Sequence, residues 1–303
     1  MDNNIELVEN YENIDKIKDI WHEVFGDDPK FWDLQMENGF FSSNDLFVLL
    51  KDGEVVSSLC ASVYSLNVGD FCLIIPYILC VSTKIAHRSK GYMRLLLNFA
   101  MEKLKERGYL LTALIPSEES LFNYYEQFGF FKAFYVKKIV FELNKPINVK
   151  NVVSFRRLKK NNPVVDQLYS VYQREYAKKT MCCHKSYSQF SALIDGFNFN
   201  DSGGAFYNKF GEFMFVSVEN YGVVVREYDL CDLDNAVRYL KRKFKLKSKD
   251  SVIFETFADD KRFPNGMLKI LSEEGLVEVL GNNRFYEIFD NVKNLGHINN
   301  MLN

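Results

Sequence analysis

Arg88, Ser89, Lys90 and Gly91 stand between an apolar run over 71–81 and an amphipathic run that begins at Tyr92. That order of residue types suits anion capture. The first N–H groups of a helix have no partner within it, and the helix dipole draws negative charge to that end. Gly91 lets a ligand approach the backbone closely, and Arg88 and Lys90 add positive charge. A pyrophosphate fits such a loop; a plain strand–loop–helix connection with solvated cations fits the same spacing. Further along, Tyr124 and Tyr125 lie among Phe122, Phe128, Phe130 and Phe131. A tyrosine, with an ordinary pKa near 10, can donate a proton to a departing anion, or it can simply fill a core. Glu118 and Glu119 precede this cluster. Either is a candidate general base, and both also suit the positive end of a helix.

These residues need elements to position them. Ile14 to Phe25 has apolar residues at helical spacing on one face. Leu46 to Leu50 and Val55 to Val63 flank Asp52-Gly53 and read as a hairpin. Phe71 to Val81 reads as a buried strand, Ser82 to Lys90 as a polar loop, and Tyr92 to Arg107 as a helix with Gly108 at its C-cap. Tyr109 to Ile115 reads as a strand, Ser117 to Phe128 as a short helix, and Phe130 to Leu143 as a terminal strand pair. Asn144 to Asn151 reads as a linker. The second half is expected to hold helices over Pro163–Ala177 and Asp234–Phe244 and a hairpin of Glu212–Val218 with Val223–Tyr228. A strand over Ser251–Phe257 and a short helix over Gly266–Ser272 complete it. The similar order of elements suggests internal duplication, with domains at 1–145 and 146–303. The fold class is α/β, an α+β mixed sheet.

The whole chain has 303 residues, 47% of them hydrophobic and 26% charged, enough for a large core. Its 38 Lys and Arg against 40 Asp and Glu give a net charge of −2, without the basic excess of a general nucleic-acid or anionic-membrane binder. No apolar run approaches the roughly 20 residues of a membrane span, and the polar N-terminus does not resemble a signal peptide. Six cysteines without a CxxC pair suggest reduced thiols and a cytoplasmic location. Cys182-Cys183-His184 is a weak metal pattern, because adjacent cysteines chelate one tetrahedral ion poorly; no metal is expected. His22 reads as half-buried and His87 as exposed. The basic run Lys241–Lys249 suits a cofactor phosphate, an acidic partner or a solvated helix end.

Arg88-Ser-Lys-Gly91-Tyr-Met93 resembles the R-x-x-G-x-G/A loop of GNAT-type N-acetyltransferases, and Asn123-Tyr-Tyr125-Glu-Gln-Phe-Gly129-Phe130 resembles that family's N-x-Y-Y/F-x-x-x-G-F helix end. The resemblance spans about residues 5 to 143 and is closest to the enhanced-intracellular-survival branch, in which a bulky residue also stands at the position of Met93. It implies two tandem GNAT-like domains and acetyl-CoA as co-substrate; the second half has no R-x-x-G-x-G/A loop, so the second domain is expected to be degenerate. Val81, Ser82 and Thr83 on the strand end, Arg88, Ser89, Lys90, Gly91, Tyr92 and Met93 on the loop, and Asn123 are the implied cofactor-binding set. Tyr125 is the implied general acid. Family members often place a glutamate on the strand before the loop, but Phe71–Val81 has no acid. The base is then sought at Glu118 or Glu119. The branch's C-terminal carboxylate corresponds to Asn303, but its third domain has no room here, so the role does not carry over.

The implied activity is transfer of an acetyl group to the primary amine of a small molecule or peptide by direct attack. The acceptor pocket is expected between the first helix, Phe40-Phe41 and the second domain, with no nucleic acid or membrane partner and homo-oligomerisation open. Two rivals are a non-catalytic acyl-CoA sensor and a tandem-GNAT aminoacyltransferase. The charge of −2 and the complete loop count against the second rival.

Overall fold

The computed structural model describes residues 4–147, 153–176, 179, 181–199, 203–257 and 263–289. Asn303, Ala177 and half of the expected linker, residues 148–151, lie outside them. The chain begins with β1 (Ile5–Glu9), α1 (Ile14–Phe25), α2 (Pro29–Glu37), β2 (Leu46–Lys51), β3 (Glu54–Val68) and β4 (Phe71–Thr83). It continues through α3 (Tyr92–Glu106), β5 (Leu111–Leu114), α4 (Ser120–Glu126) and β6 (Phe131–Glu142). The second half holds β7 (Phe155–Arg157), α5 (Val164–Tyr176), β8 (Cys182–His184), α6 (Tyr187–Asn198), β9 (Gly203–Asn208), β10 (Phe213–Glu219) and β11 (Gly222–Asp229). It ends with α7 (Leu233–Lys243), β12 (Ser251–Phe257), β13 (Pro264–Ile270), α8 (Glu273–Leu280) and α9 (Asn282–Phe289). No helix among the described residues is long and apolar enough to cross a membrane.

All thirteen described strands join one mixed sheet in the order β1-β2-β3-β4-β5-β13-β6-β12-β11-β10-β9-β7, with β8 added beside β3. Two parallel steps interrupt the antiparallel pairing, β4 to β5 and β11 to β12. Each is bridged by a helix, α3 or α7, as a parallel crossover requires. The two halves exchange strands at the centre. β13 from the second half lies between β5 and β6, while β6 runs on to pair with β12.

Burial follows the side-chain periods. α3 buries Leu96, Leu97, Ala100, Met101 and Leu104 on one face and covers the sheet with α4, Phe128 and Phe130. The opposite face carries α1 and α2 and merges with α5 and α6 of the second half into one apolar cluster. Trp21 and Trp32 meet there at 4.4 Å between ring centroids.

The structure corrects several expectations. Residues 266–270 belong to strand β13, not to a short helix, and Met267 and Leu268 are fully buried. Burial between two neighbouring strands overrides a run whose local pattern is ambiguous. Residues 131–142 form one strand rather than a pair, because β6 serves both halves of the sheet. α4 begins at Ser120 rather than Ser117. His22 is exposed and His87 half-buried. Phe40 and Phe41 are core residues, at 1% and 3% exposure, and line no described cavity.

Candidate active site

The sheet opens where β4 and β5 part. Their ladder pairs only Tyr77 with Ala113 and Ile78 with Leu114. Beyond Ile78, β4 continues toward Thr83 while β5 ends. The same stretch of β4 carries a bulge. Leu79 pairs with Cys60 and Ser82 with Ser58, so two residues, Cys80 and Val81, oppose the single Leu59. Cys80 takes the left-handed conformation, φ 53°. A bulge re-aims backbone groups and ends regular pairing. The opening is a cleft of about 440 Å³ lined by Val24, Phe25, Asp27, Trp32, Leu79, Cys80, Val81, Ser117 and Tyr125, among others.

The loop after β4 is held from beneath. Lys84 pairs with Glu54 at 2.5 Å, and its N–H donates to the Val56 carbonyl. The Ile85 N–H donates to the Glu23 carboxylate on α1. Arg88 Nε donates to the Thr83 carbonyl and Lys90 Nζ to the Ala86 carbonyl. Ser89 and Gly91 both have positive φ, 60° and 80°, and Gly91 stands at the N-cap of α3 without a side-chain cap. The first N–H groups of a fifteen-residue helix thus face the exposed loop uncovered, beside two cations. A Cβ at Gly91 would meet nothing within 4 Å. This glycine is required by its positive φ, not by crowding.

The residues singled out in the sequence sort as follows. Val81 and Tyr125 line one cleft. Ser82 and Thr83 turn their hydroxyls to Ser58 and Ser57 of β3, each at 2.9 Å, and the Thr83 carbonyl accepts from Arg88. Arg88, Ser89, Lys90 and Gly91 are exposed on the loop, Tyr92 is buried, and Met93 is half-buried against the α3 core. Asn123 is exposed on α4 and does not line the cleft. Glu118 and Glu119 are exposed just ahead of α4, outside the cleft lining, and Glu118 accepts from the Ser120 hydroxyl at 2.5 Å.

Tyr125 is 6% exposed, and among the described residues its hydroxyl makes no hydrogen bond. Burial holds that hydroxyl well above its ordinary pKa, so it stays protonated. Asp27 is a cleft residue that sequence reasoning missed. It follows Gly26, the left-handed C-cap of α1, which turns the chain toward the cleft. Its carboxyl is half-buried, and burial raises its pKa while His22 nearby opposes the rise. Burial likewise pushes the Cys80 thiol up, and the Asp27 charge adds to that. The adjacent motif Gly26-Asp27-Asp28-Pro29 signals only a helix end, so nothing local marked this carboxylate. Trp32 also lines the cleft, and its buried indole N–H has no partner among the described residues.

A second cavity of about 490 Å³ adjoins the cleft at Ile115 and Ser117. Both halves line it, through Phe31 and Lys138 on one side and Phe197, Ser217, Arg226 and Glu255 on the other. Arg226 bridges Glu219 and Glu255, each at 2.9 Å.

The weak metal pattern sits elsewhere. Cys182 and Cys183 are buried free thiols on β8, and His184 Nε2 lies 3.1 Å from Asn67 Oδ1. All six cysteines are free.

Residues 9–133 match the family model described as an acetyltransferase (GNAT) domain. No curated protein matches the chain. Solved structures match nearly all of it. A GCN5-related N-acetyltransferase from Kribbella flavida superposes with a TM-score of 0.63 at 14% identity, covering 91% of this chain and 73% of that one. Eis1 from Mycobacterium abscessus gives 0.60 at 12% identity, covering 90% and 75%. N-myristoyltransferase from Saccharomyces cerevisiae, solved with bound myristoyl-CoA, gives 0.58 at 11%, covering 89% and 78%. At such identities the likeness is one of fold. Residues 9–133 are thus similar to GNAT acetyltransferase domains, and most of the chain shares the mixed α/β fold of these proteins.

Proposed function

We propose that this protein transfers an acyl group, acetyl by family default, from acyl-CoA to a primary amine. The observation that carries the reading is the continuity of one surface. A splayed strand pair with a bulge at Cys80 and Val81 runs directly into a loop of uncovered helix amides and two cations. An extended chain ending in a pyrophosphate matches that surface. The freed backbone of β4 would pair with amides along the arm, and the α3 terminus would take the phosphates. Bound there, acetyl-CoA supplies an activated acyl group as a thioester.

The chain's own groups then divide the work. Backbone N–H groups at the bulge polarise the thioester carbonyl. Tyr125, kept protonated by burial, donates a hydrogen bond to the departing sulfur. Asp27 accepts the proton of the attacking amine, directly or through water. Its burial-raised pKa makes it a better acceptor than an exposed aspartate. Glu118 and Glu119, exposed beside the cleft, are the alternative bases. The acceptor enters from the adjoining cavity between the halves, so the second half shapes acceptor choice.

The division at 145/146 into two GNAT-like domains belongs to this proposal. The order of antiparallel strands, parallel step and crossover helix occurs in both halves, which supports it. At the second crossover, Asp232 caps α7 by accepting from the Asn235 N–H. An acid at that terminus repels phosphate, in keeping with a silent copy.

The test is thiol release from acetyl-CoA across a panel of amines. Release with at least one amine, lost in Gly91→Asp, supports the reading. Binding of acetyl-CoA with no release from any amine favours the sensor, whose support is the lack of an acid on β4.

A further inference from the structure

The basic run near the end of α7 is not used by the cleft. It borders a groove of about 360 Å³ lined by Val153, Ser154 and Phe155 ahead of β7 and by Asn235, Arg238, Tyr239, Arg242 and Lys243 of α7. That volume lies at the lower end of small-molecule sites, about 300–1,000 Å³. None of these residues lines the cleft or the adjoining cavity.

Three of the eight residues that line the groove are cations and none is an acid, while Asp232 stands beside its Asn235 end. Residues 238–249 hold seven Lys and Arg and no acid, and residues 143–158 hold four and no acid, in a chain of net charge −2. Arg238 and Arg242 are one helical turn apart and repel each other. Among the described residues, the side chains of Arg238, Arg242 and Lys243 have no hydrogen-bond or ion-pair partner. The contrast with Lys241 is instructive, since its ammonium satisfies the Leu143 carbonyl. Arg238 also lies a turn before the helix end, so the dipole at the C-terminus does not account for it. Uncompensated cations in a concavity lower their repulsion by taking an anion, and paired guanidinium groups fit phosphate geometry. Tyr239 supplies an apolar wall; its ring is held in place by Phe155 and Phe206, at 5.2 and 5.5 Å between centroids.

We propose that this groove is a second anion site, which takes a small phosphorylated molecule with its phosphate among Arg238, Arg242 and Lys243 and its body against Tyr239. The site is distinct from the loop at Gly91, and the concave shape favours a small ligand over a polymer.

The probe is inorganic pyrophosphate, titrated calorimetrically at low salt into the full chain carrying Gly91→Asp, so that the α3 loop is disabled. Saturable binding is expected to remain. Adding Arg238→Ala and Arg242→Ala should weaken it at least about tenfold, since each phosphate contact is charge-assisted. Arg242 is exposed and Arg238 half-buried, neither with a partner among the described residues, and circular dichroism checks that the fold is kept. The same arginine changes in the otherwise unaltered chain should leave thiol release from acetyl-CoA intact. Absence of pyrophosphate binding in the Gly91→Asp protein overturns the proposal, as does binding unaffected by the arginine changes. If the arginine changes instead abolish binding of a single-stranded RNA oligonucleotide and spare pyrophosphate, the patch serves a polymer and the proposal is wrong.

Discussion

Replacing Tyr125 with Phe removes one oxygen from the cleft wall. The ring remains packed against Tyr124 and Phe130, at 5.4 and 6.0 Å between centroids. The hydroxyl has no partner among the described residues, so nothing is stranded by its loss. Stability should therefore change by no more than about 0.5 kcal/mol. Catalysis should change far more. General acid assistance contributes about 10²–10⁴ in rate, or about 2.7–5.4 kcal/mol at 1.36 kcal/mol per factor of ten. The structure selects the lower part of that range. Burial raises the Tyr125 pKa above its ordinary value, whereas a free thiol titrates near 8.5. The phenol thus does not hand its proton over outright; it donates a hydrogen bond that strengthens as charge gathers on sulfur. The expected result is a kcat lowered about a hundredfold, with acetyl-CoA affinity unchanged by calorimetry. An acyl donor with a more acidic thiol needs less help, so the gap between the two proteins should narrow with it. Full kcat in Tyr125→Phe, or a loss confined to KM, refutes the role.

Other perturbations test other parts of the structure. Gly91→Asp places a carboxylate at the α3 terminus and forces a side chain into φ 80°, a backbone strain of roughly 1–2 kcal/mol; acetyl-CoA binding should vanish in calorimetry while the protein stays folded. Asp27→Asn should lower kcat/KM about a hundredfold and erase the acid limb of its pH profile. In the parent protein that limb should lie above the ordinary aspartate value, because burial raises the pKa, and activity should fall as pH drops through it. Lys185 and Glu227 form a fully buried ion pair, and Lys185→Met strands the carboxylate; urea unfolding should show a loss of about 3–5 kcal/mol, largely restored when Glu227 is made apolar as well. A fragment ending at residue 147 lacks β13, which leaves β5 an open edge and removes Met267 and Leu268 from the core. At about 1.5–3 kcal/mol for each buried side chain, the fragment should unfold or aggregate, which light scattering would show.

Much of the first half was legible in order. α1 and the hairpin of β2 and β3 follow from periods of 3.6 and 2 and from Asp52-Gly53. The helix after Gly91 also follows, because each of these signals is local. The glycine at the start of that helix was legible because a positive φ at a helix N-cap favours this one residue type. Residues 266–270 were not legible, since a short apolar run reads the same in a helix and in a buried strand until its neighbours are known. Glu118 and Glu119 stood out as acids close to Tyr125 in the chain, yet both are exposed outside the cleft lining.

The sequence by itself determined the strand, loop and helix around Gly91, the tyrosine at the end of its aromatic helix, and an alternation of strands and helices that marks a mixed α/β class. The tertiary structure alone decided what shares the cleft with them. Asp27 reaches it because Gly26 turns the chain out of α1. The cleft exists because β4 bulges at Cys80 and parts from β5 after Ile78. The halves are inseparable because β13 and β6 cross between them. Each of these depends on pairing between residues far apart in the chain, and no local pattern records which strand will lie beside which.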